Sequence, residues 1–126
     1  MATERTRSTR KATGGRYIAY RKSRQFARVE KPTLTKMGEY KAANHRTAGG
    51  SRKVKLLSIN KISVADPKTK TVKLATIKTV KENAANINYI IRNIMNKGAV
   101  VETELGMVRI TSRPGQNGAL SGILIK

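Results

Sequence analysis

Residues 52–80 read RKVKLLSINKISVADPKTKTVKLATIKTV, and their periodicity decides the fold class. Val54 and Leu56 alternate with Lys53 and Lys55, the period-two pattern of a half-buried strand. The phase then slips. Leu57 and Ile59 lie on one parity, Ile62 and Val64 on the other, which places a bulge or tight turn near Asn60–Lys61. DPKTK, residues 66–70, is turn chemistry, because Pro67 presets φ for the first corner. TVKLATIKTV resumes the strand pattern with Val72 and Leu74 on one face.

The remaining C-terminal segments follow the same logic. AVVETEL, Gly106 and MVRITS read as a hairpin, and RPGQNG as a loop with turn signals at Pro114–Gly115 and Asn117–Gly118. ALSGILIK is a further strand, in which Gly122 marks a bend or a close backbone approach. INYIIRNIM, residues 87–95, is ambiguous: Ile87, Ile90, Ile91, Ile94 and Met95 fit helical spacing, while the isoleucines and flanking asparagines fit a strand or an irregular loop. Several short strands between turns favour a small closed barrel, which leaves no exposed sheet edge. The expected domains are residues 1–51, a basic extended arm, and 52–126, a small barrel.

Charge is distributed unevenly between them. The chain of 126 residues carries 27 Lys and Arg against 7 Asp and Glu, a net charge of +20. Residues 1–55 hold 16 of the basic residues and 3 of the acids, and Glu4 is the only acid among the first 29. Before Val54 the only branched aliphatics are Ile18, Val29 and Leu34, whereas Tyr17, Tyr20, Phe26 and Tyr40 all precede position 41. Such a segment buries too little apolar surface to offset its own chain entropy, so it is expected to be disordered until a partner orders it. Unpaired cations at this density repel one another, and a polyanion relieves the repulsion. Arg and Lys neutralise phosphates, while Tyr17, Tyr20 and Phe26 offer faces for splayed bases, a combination that leans towards RNA rather than duplex DNA. Candidate contacts are therefore Arg5, Arg7, Arg10, Lys11, Arg16, Arg21, Lys22, Arg24 and Arg28 in the arm, with Tyr17 and Tyr20 as stacking surfaces. Arg46, Arg52, Lys53 and Lys55 continue the basic run, and Gly14–Gly15 and Gly49–Gly50 let backbone approach a phosphate or turn at positive φ.

Other classes find little support. No run of about 18 apolar residues is present, so no membrane span is expected, and no apolar region follows the basic start as a secretory signal requires. Cysteine is absent, which removes disulfides and thiolate metal sites and suits a reducing cytosol. His45 is the sole histidine, and in the basic context NHRT it reads as a solvated or phosphate-facing side chain rather than a general base. Glu102 and Glu104 would share a strand face, but pairing with Lys or Arg across a sheet explains them better than acid–base or metal chemistry. ATGGR and TAGGS lack the spacing of a P-loop. No catalytic residue, metal site, cofactor or small-molecule substrate is expected.

The blocks RKATGGRY, AGGSRKVKLL, DPKT, ENAANINY, IRNIMNKGAVVETELG and VRITSRPGQNG, in this order, resemble the archaeal and eukaryotic small-subunit ribosomal protein family S8e. The resemblance spans nearly the whole chain. It implies a closed six-stranded β-barrel with a long basic N-terminal extension, a mainly all-β fold, and a non-enzymatic part of the small ribosomal subunit. It further implies binding of 16S-type rRNA, neighbouring ribosomal proteins as partners, a cytoplasmic location and a monomer outside the particle. Arg10, Lys11, Gly14, Gly15, Arg16 and Tyr17 match the block that runs along rRNA in the family, and Gly49, Gly50, Arg52 and Lys53 match the block at the barrel entrance. Arg92, Asn93, Lys97 and Gly98 match the middle block, and Ser112, Arg113, Pro114 and Gly115 the last loop. Three positions depart from the pattern: Ser51 for Asn, Ala84 for Pro and Ile91 for Arg. Ile91 leaves the middle segment open between an RNA contact and a core strand.

Overall fold

A computed structural model describes residues 2–3, 8–22, 24, 28–29 and 31–125, with backbone alone at 2, 3, 28, 29 and 48. The expected contacts Arg5 and Arg7, and the ring of Phe26, lie outside the described residues. The chain forms two compact units, Met1–Pro32 and Thr33–Lys126. In the first, β1 (Ala2–Thr3) pairs antiparallel with β2 (Arg28–Val29).

The second unit holds two sheets. β3 (Thr35–Met37), β4 (Lys41–Arg46), β5 (Arg52–Ile59) and the later β8 (Ile94–Met95) form one, in the order β4-β5-β3-β8. β6 (Lys61–Asp66), β7 (Thr71–Glu82), β9 (Val100–Thr103), β10 (Gly106–Ile110) and β11 (Ser121–Leu124) close into a barrel in the order β10-β11-β6-β7-β9. β11 and β6 run parallel; every other barrel pair is antiparallel. The mainly β fold is thus as expected, but five strands close the barrel rather than six. β5 pairs with β4 and β3 instead, because the chain bends at Asn60 and passes from one sheet into the other. That bend is the source of the phase slip between Ile59 and Ile62. The expected division at residues 51/52 also differs from the boundary between units at 32/33. β3 and β4 need β5 as a pairing partner, and Thr35, fully buried, donates from Oγ1 to the Leu56 carbonyl at 2.7 Å.

The two sheets share one core. Ile62, Val64, Ala75, Ile77, Val80, Val101, Val108 and Ile110 come from barrel strands, while Leu56 and Met95 enter from β5 and β8. Val72 and Leu74 do share a face, but it is the outer one, and both are exposed. The inward positions of β7 are Ala75 and Ile77; a register shift between Ile77 and Thr79 then changes parity, so that Val80 also points inward. The ambiguous segment divides. Asn88–Ile91 is one turn of helix, α1, and Asn93, at φ 48°, switches the chain into β8. Ile94 and Met95 are buried, whereas Ile87 and Ile91 are exposed, so the helical spacing of the isoleucines does not mark one buried face. RPGQNG likewise becomes a helical turn, α2 (Pro114–Asn117), with Pro114 in its first turn and Gly118 ending it in the left-handed region.

Gly122 does mark a close approach. A Cβ there would lie 2.6 Å from Val108 Cγ1 and 2.7 Å from the Arg109 carbonyl oxygen. The second obstacle is backbone inside a closed barrel and cannot move aside alone. Gly122→Ala should therefore cost about 1–3 kcal/mol, as overpacking does in tight cores. Urea denaturation checks this; an unchanged midpoint would show that β10 and β11 stand further apart than described.

Candidate nucleic-acid interface

The candidate residues gather chiefly at two hairpin-like turns, one in each unit. In the second unit, β4 and β5 are antiparallel, with Arg46 opposite Arg52 and His45 opposite Lys53. The linking turn holds itself closed: Thr47 N–H and Oγ1 both donate to the Ser51 carbonyl, at 2.8 and 3.0 Å. Gly49 and Gly50 sit at φ 83° and 87°, where any other residue is strained, so the glycine pair is required by the turn itself. Arg46, Arg52 and Lys53 are all exposed. Like charges directly opposite one another across a sheet repel, and this turn concentrates them at its open end. Lys55, opposite Ala43, lies further along β5 and is half-buried.

The first unit repeats the arrangement on a smaller scale. Arg10 bridges antiparallel to Arg16, Lys11 N–H donates to the Gly15 carbonyl at 2.8 Å, and Gly14 N–H donates to the Lys11 carbonyl at 3.0 Å. The Arg10 guanidinium donates to the Gly14 carbonyl at 2.8 Å, bracing the turn. Beside it the Lys11 ammonium lies 5.8 Å from the centre of the Tyr17 ring, and the Arg21 guanidinium lies 5.2 Å from that of Tyr20. Tyr20 is exposed, so one aromatic face backs a cation while the side chain stays open to solvent. Lys22 and Arg24 are exposed, and Arg28 belongs to β2. Residues 9–17 are thus a local turn rather than a purely extended strand of arm.

The other candidates occupy separate elements. Arg92 ends α1, Lys97 lies in the turn between β8 and β9, and Arg113 immediately precedes α2; all three are exposed. Ile91 is exposed on α1, so it does not make that segment a core strand. The opposed cationic pairs are what sequence inspection missed. Arg46 and Arg52 are six apart with five uncharged residues between them, and only the strand pairing sets them face to face. Tyr40, noted for its aromaticity but not placed among the contacts, is 65% exposed in the link between β3 and β4.

The carboxylates do structural work. Glu102, on the outer face of β9, pairs with Lys81 at 3.1 Å and accepts from Thr79 Oγ1 at 3.3 Å. Glu104 is in the β9–β10 turn, so the two glutamates do not form a pair on one strand. Among the described residues no group of three or more His, Cys, Asp or Glu side chains is arranged to hold a metal ion, and no helix is long and apolar enough to cross a membrane.

Comparison with known proteins adds kinship to this geometry. The family model described as "Ribosomal protein S8e" matches residues 4–125. Proteins named small ribosomal subunit protein eS8 are similar throughout. That of Methanococcus aeolicus is 47% identical over 119 residues, 94% of this chain and 93% of its own length. That of Picrophilus torridus is 44% identical over 119 residues, covering 94% and 95%. That of Methanobrevibacter smithii is 42% identical over 125 residues, covering 99% and 100%.

Two carboxyls contribute to the acid limb of stability. The Lys68 backbone N–H, donating at 2.9 Å, and then the Thr69 hydroxyl at 3.0 Å lower the pKa of Asp66. The hydrogen bond from Lys81, followed by its charge, lowers that of Glu102. With folded values below unfolded ones, the stabilisation is complete above the unfolded pKa and is lost as pH falls through the folded one. The denaturation midpoint should hold from neutral to mildly acidic pH and then decline, and Asp66→Asn should flatten the decline. A midpoint that rises on acidification would contradict this.

Proposed function

The chain belongs to the ribosomal protein S8e family, and on that premise we propose that it is a structural constituent of the small ribosomal subunit, binding and organising 16S-type rRNA during assembly and translation. It acts in the cytoplasm as part of the ribosome, as a monomer outside the particle, without cofactor and without catalysis of its own. Its partners are rRNA and neighbouring small-subunit proteins.

The observation that carries rRNA binding is the placement of arginine opposite arginine at both turns, Arg10 with Arg16 and Arg46 with Arg52. Each pair is unfavourable in isolation and becomes favourable when a phosphate lies between or beside the two guanidiniums. Tyr17 and Tyr20 add rings for unpaired bases next to those cations. Gly14–Gly15 and Gly49–Gly50 keep the turn tips free of side chains where backbone meets the RNA. Arg5, Arg7, Lys22, Arg24 and Arg28 extend the basic track of the first unit. Lys55, Arg92, Lys97 and Arg113 supply separate points on the second. The first unit, residues 1–32, is the arm and takes its lasting order from the RNA it lies against. The second unit meets RNA through the β4–β5 turn. The net charge of +20 supports the same reading, because it favours a dense polyanion over a neutral partner.

Sedimentation of a cell lysate through sucrose at high salt tests the proposal. The protein should stay with the small subunit at about one copy per particle, with cleavage sites before Pro32 protected from trypsin, whereas the salt-stripped protein should be cut there. Recovery at the top of the gradient or with DNA would refute a ribosomal role, and a trypsin-resistant arm in the free protein would refute its dependence on RNA.

A further inference from the structure

Where β5 hands over to β6, the second unit carries a groove of about 370 Å³. Ile59, Leu74 and Leu120 form apolar walls, Tyr40 stands at one side, and Asn60 and Lys61 form the lip. Leu120 is buried in the core and Ile59 packs against it, so the apolar groups here that the core does not use are Leu74 and Tyr40. Leu74 is 68% exposed on the outer face of β7, and Tyr40 is exposed ahead of β4. The backbone of Asn60 is fixed, since its carbonyl accepts the Ile77 N–H at 2.9 Å. Among the described residues, however, the Asn60 side-chain amide, the Tyr40 hydroxyl and the Lys61 ammonium have no hydrogen-bonding or ionic partner. An exposed aromatic ring, an amide and a cation thus line one apolar cleft.

We propose that this groove receives one unpaired nucleobase of the rRNA, stacked on Tyr40, with Asn60 hydrogen-bonding its edge and Lys61 neutralising its phosphate. The inference rests on the rRNA-binding reading above and adds a position that reading does not contain. The chemistry of the lip decides between occupants. An apolar side chain of a neighbouring protein would use Ile59, Leu74 and Leu120 and leave the exposed amide and ammonium to solvent. A nucleobase uses all of them, because it offers a flat π face, a donor–acceptor edge and an attached phosphate. The local charge agrees: among the described residues Lys61 is the one charged residue that lines the groove, and it is a cation. The size also suits a base with its sugar, at the lower end of ordinary small-ligand sites, which run from about 300 to 1,000 Å³.

Ultraviolet irradiation of native small subunits, followed by nuclease and trypsin digestion and mass spectrometry, should yield a nucleotide adduct on Tyr40 within the peptide 37–41. Binding of purified protein to rRNA extracted from the same subunits supplies the second readout. Tyr40→Ala should weaken it by roughly 5- to 150-fold, the range of one lost base stack, while Tyr40→Phe keeps most of the affinity. Lys61→Ala should reduce the slope of log affinity against log salt by about one, and Tyr40→Ala should leave that slope unchanged. Because Tyr40 is exposed, its replacement should not disturb the fold, and an unchanged urea midpoint verifies this. If wild-type protein binds rRNA while Tyr40→Ala binds equally well and no adduct forms on 37–41, the base site is wrong and the ribosomal role stands. A protein cross-link at Tyr40 in place of a nucleotide would also overturn the base site. Failure of wild-type protein to bind rRNA would overturn the ribosomal reading itself.

Discussion

Burial of Leu56 near the middle of β5 holds Arg52 and Lys53, at the start of the same strand, opposite Arg46 and His45. The two halves of that strand are opposed in energy. Fully burying a leucine is worth about 1.5–3 kcal/mol, whereas cross-strand pairs contribute roughly 0.2–1 kcal/mol and like-charged ones count against the fold. The anchor wins, and the fold can therefore maintain a cationic turn that the turn could not maintain for itself. Thr35, bonded to the Leu56 carbonyl, ties β3 to the same point. β5 then turns at Asn60 directly into the barrel. Core, basic turn and apolar groove are accordingly consequences of one continuous run, residues 46–61.

Division of labour between the sheets follows. The barrel closes on itself and leaves no edge in need of pairing. Its inner face takes most of the branched aliphatics, and two of its acids serve local order: Asp66 in the β6–β7 turn and Glu102 with Lys81. The smaller sheet packs Leu56 and Met95 into the same core and carries cations on the exposed β4 edge and β5. Rigid support with the charge mounted at its margin lowers the cost of binding a polyanion, since little of the binding energy then goes into ordering the contact surface.

Much of this was legible in residues 52–80. The alternation in RKVKLLSIN, the phase slip and the DPKTK turn all appear as strand, bend and turn where local chemistry placed them, and beyond that stretch so does the hairpin of β9 and β10. Gly122 was legible as a close approach for the same reason, since glycine inside a strand weakens it and marks a place where a side chain would not fit. What depended on distant pairing was not legible. The membership of β5 in a second sheet, and with it the count of five barrel strands, follows from partners at residues 35–46. Val72 and Leu74 share a face as the alternation implies, but which face of β7 turns inward is set by its pairing with β6 and β9, and it is that of Ala75 and Ile77. The isoleucines from 87 to 95 fit a helix by spacing, but Asn93 at positive φ splits them between helix and strand. The candidate contacts were legible as a basic run; their sharpening into opposed arginine pairs needed the strand register.

The central claim is that the β4–β5 turn is electrostatically incomplete until phosphate occupies it. A double-mutant cycle on Arg46→Gln and Arg52→Gln tests this most directly, read as urea stability of the free protein and as affinity for extracted rRNA. Each single replacement should slightly raise the stability of the free protein and the double should add little more, the signature of a relieved repulsion. Each replacement should at the same time weaken rRNA binding. Replacements that destabilise the free protein, or that leave rRNA affinity untouched, would contradict the claim.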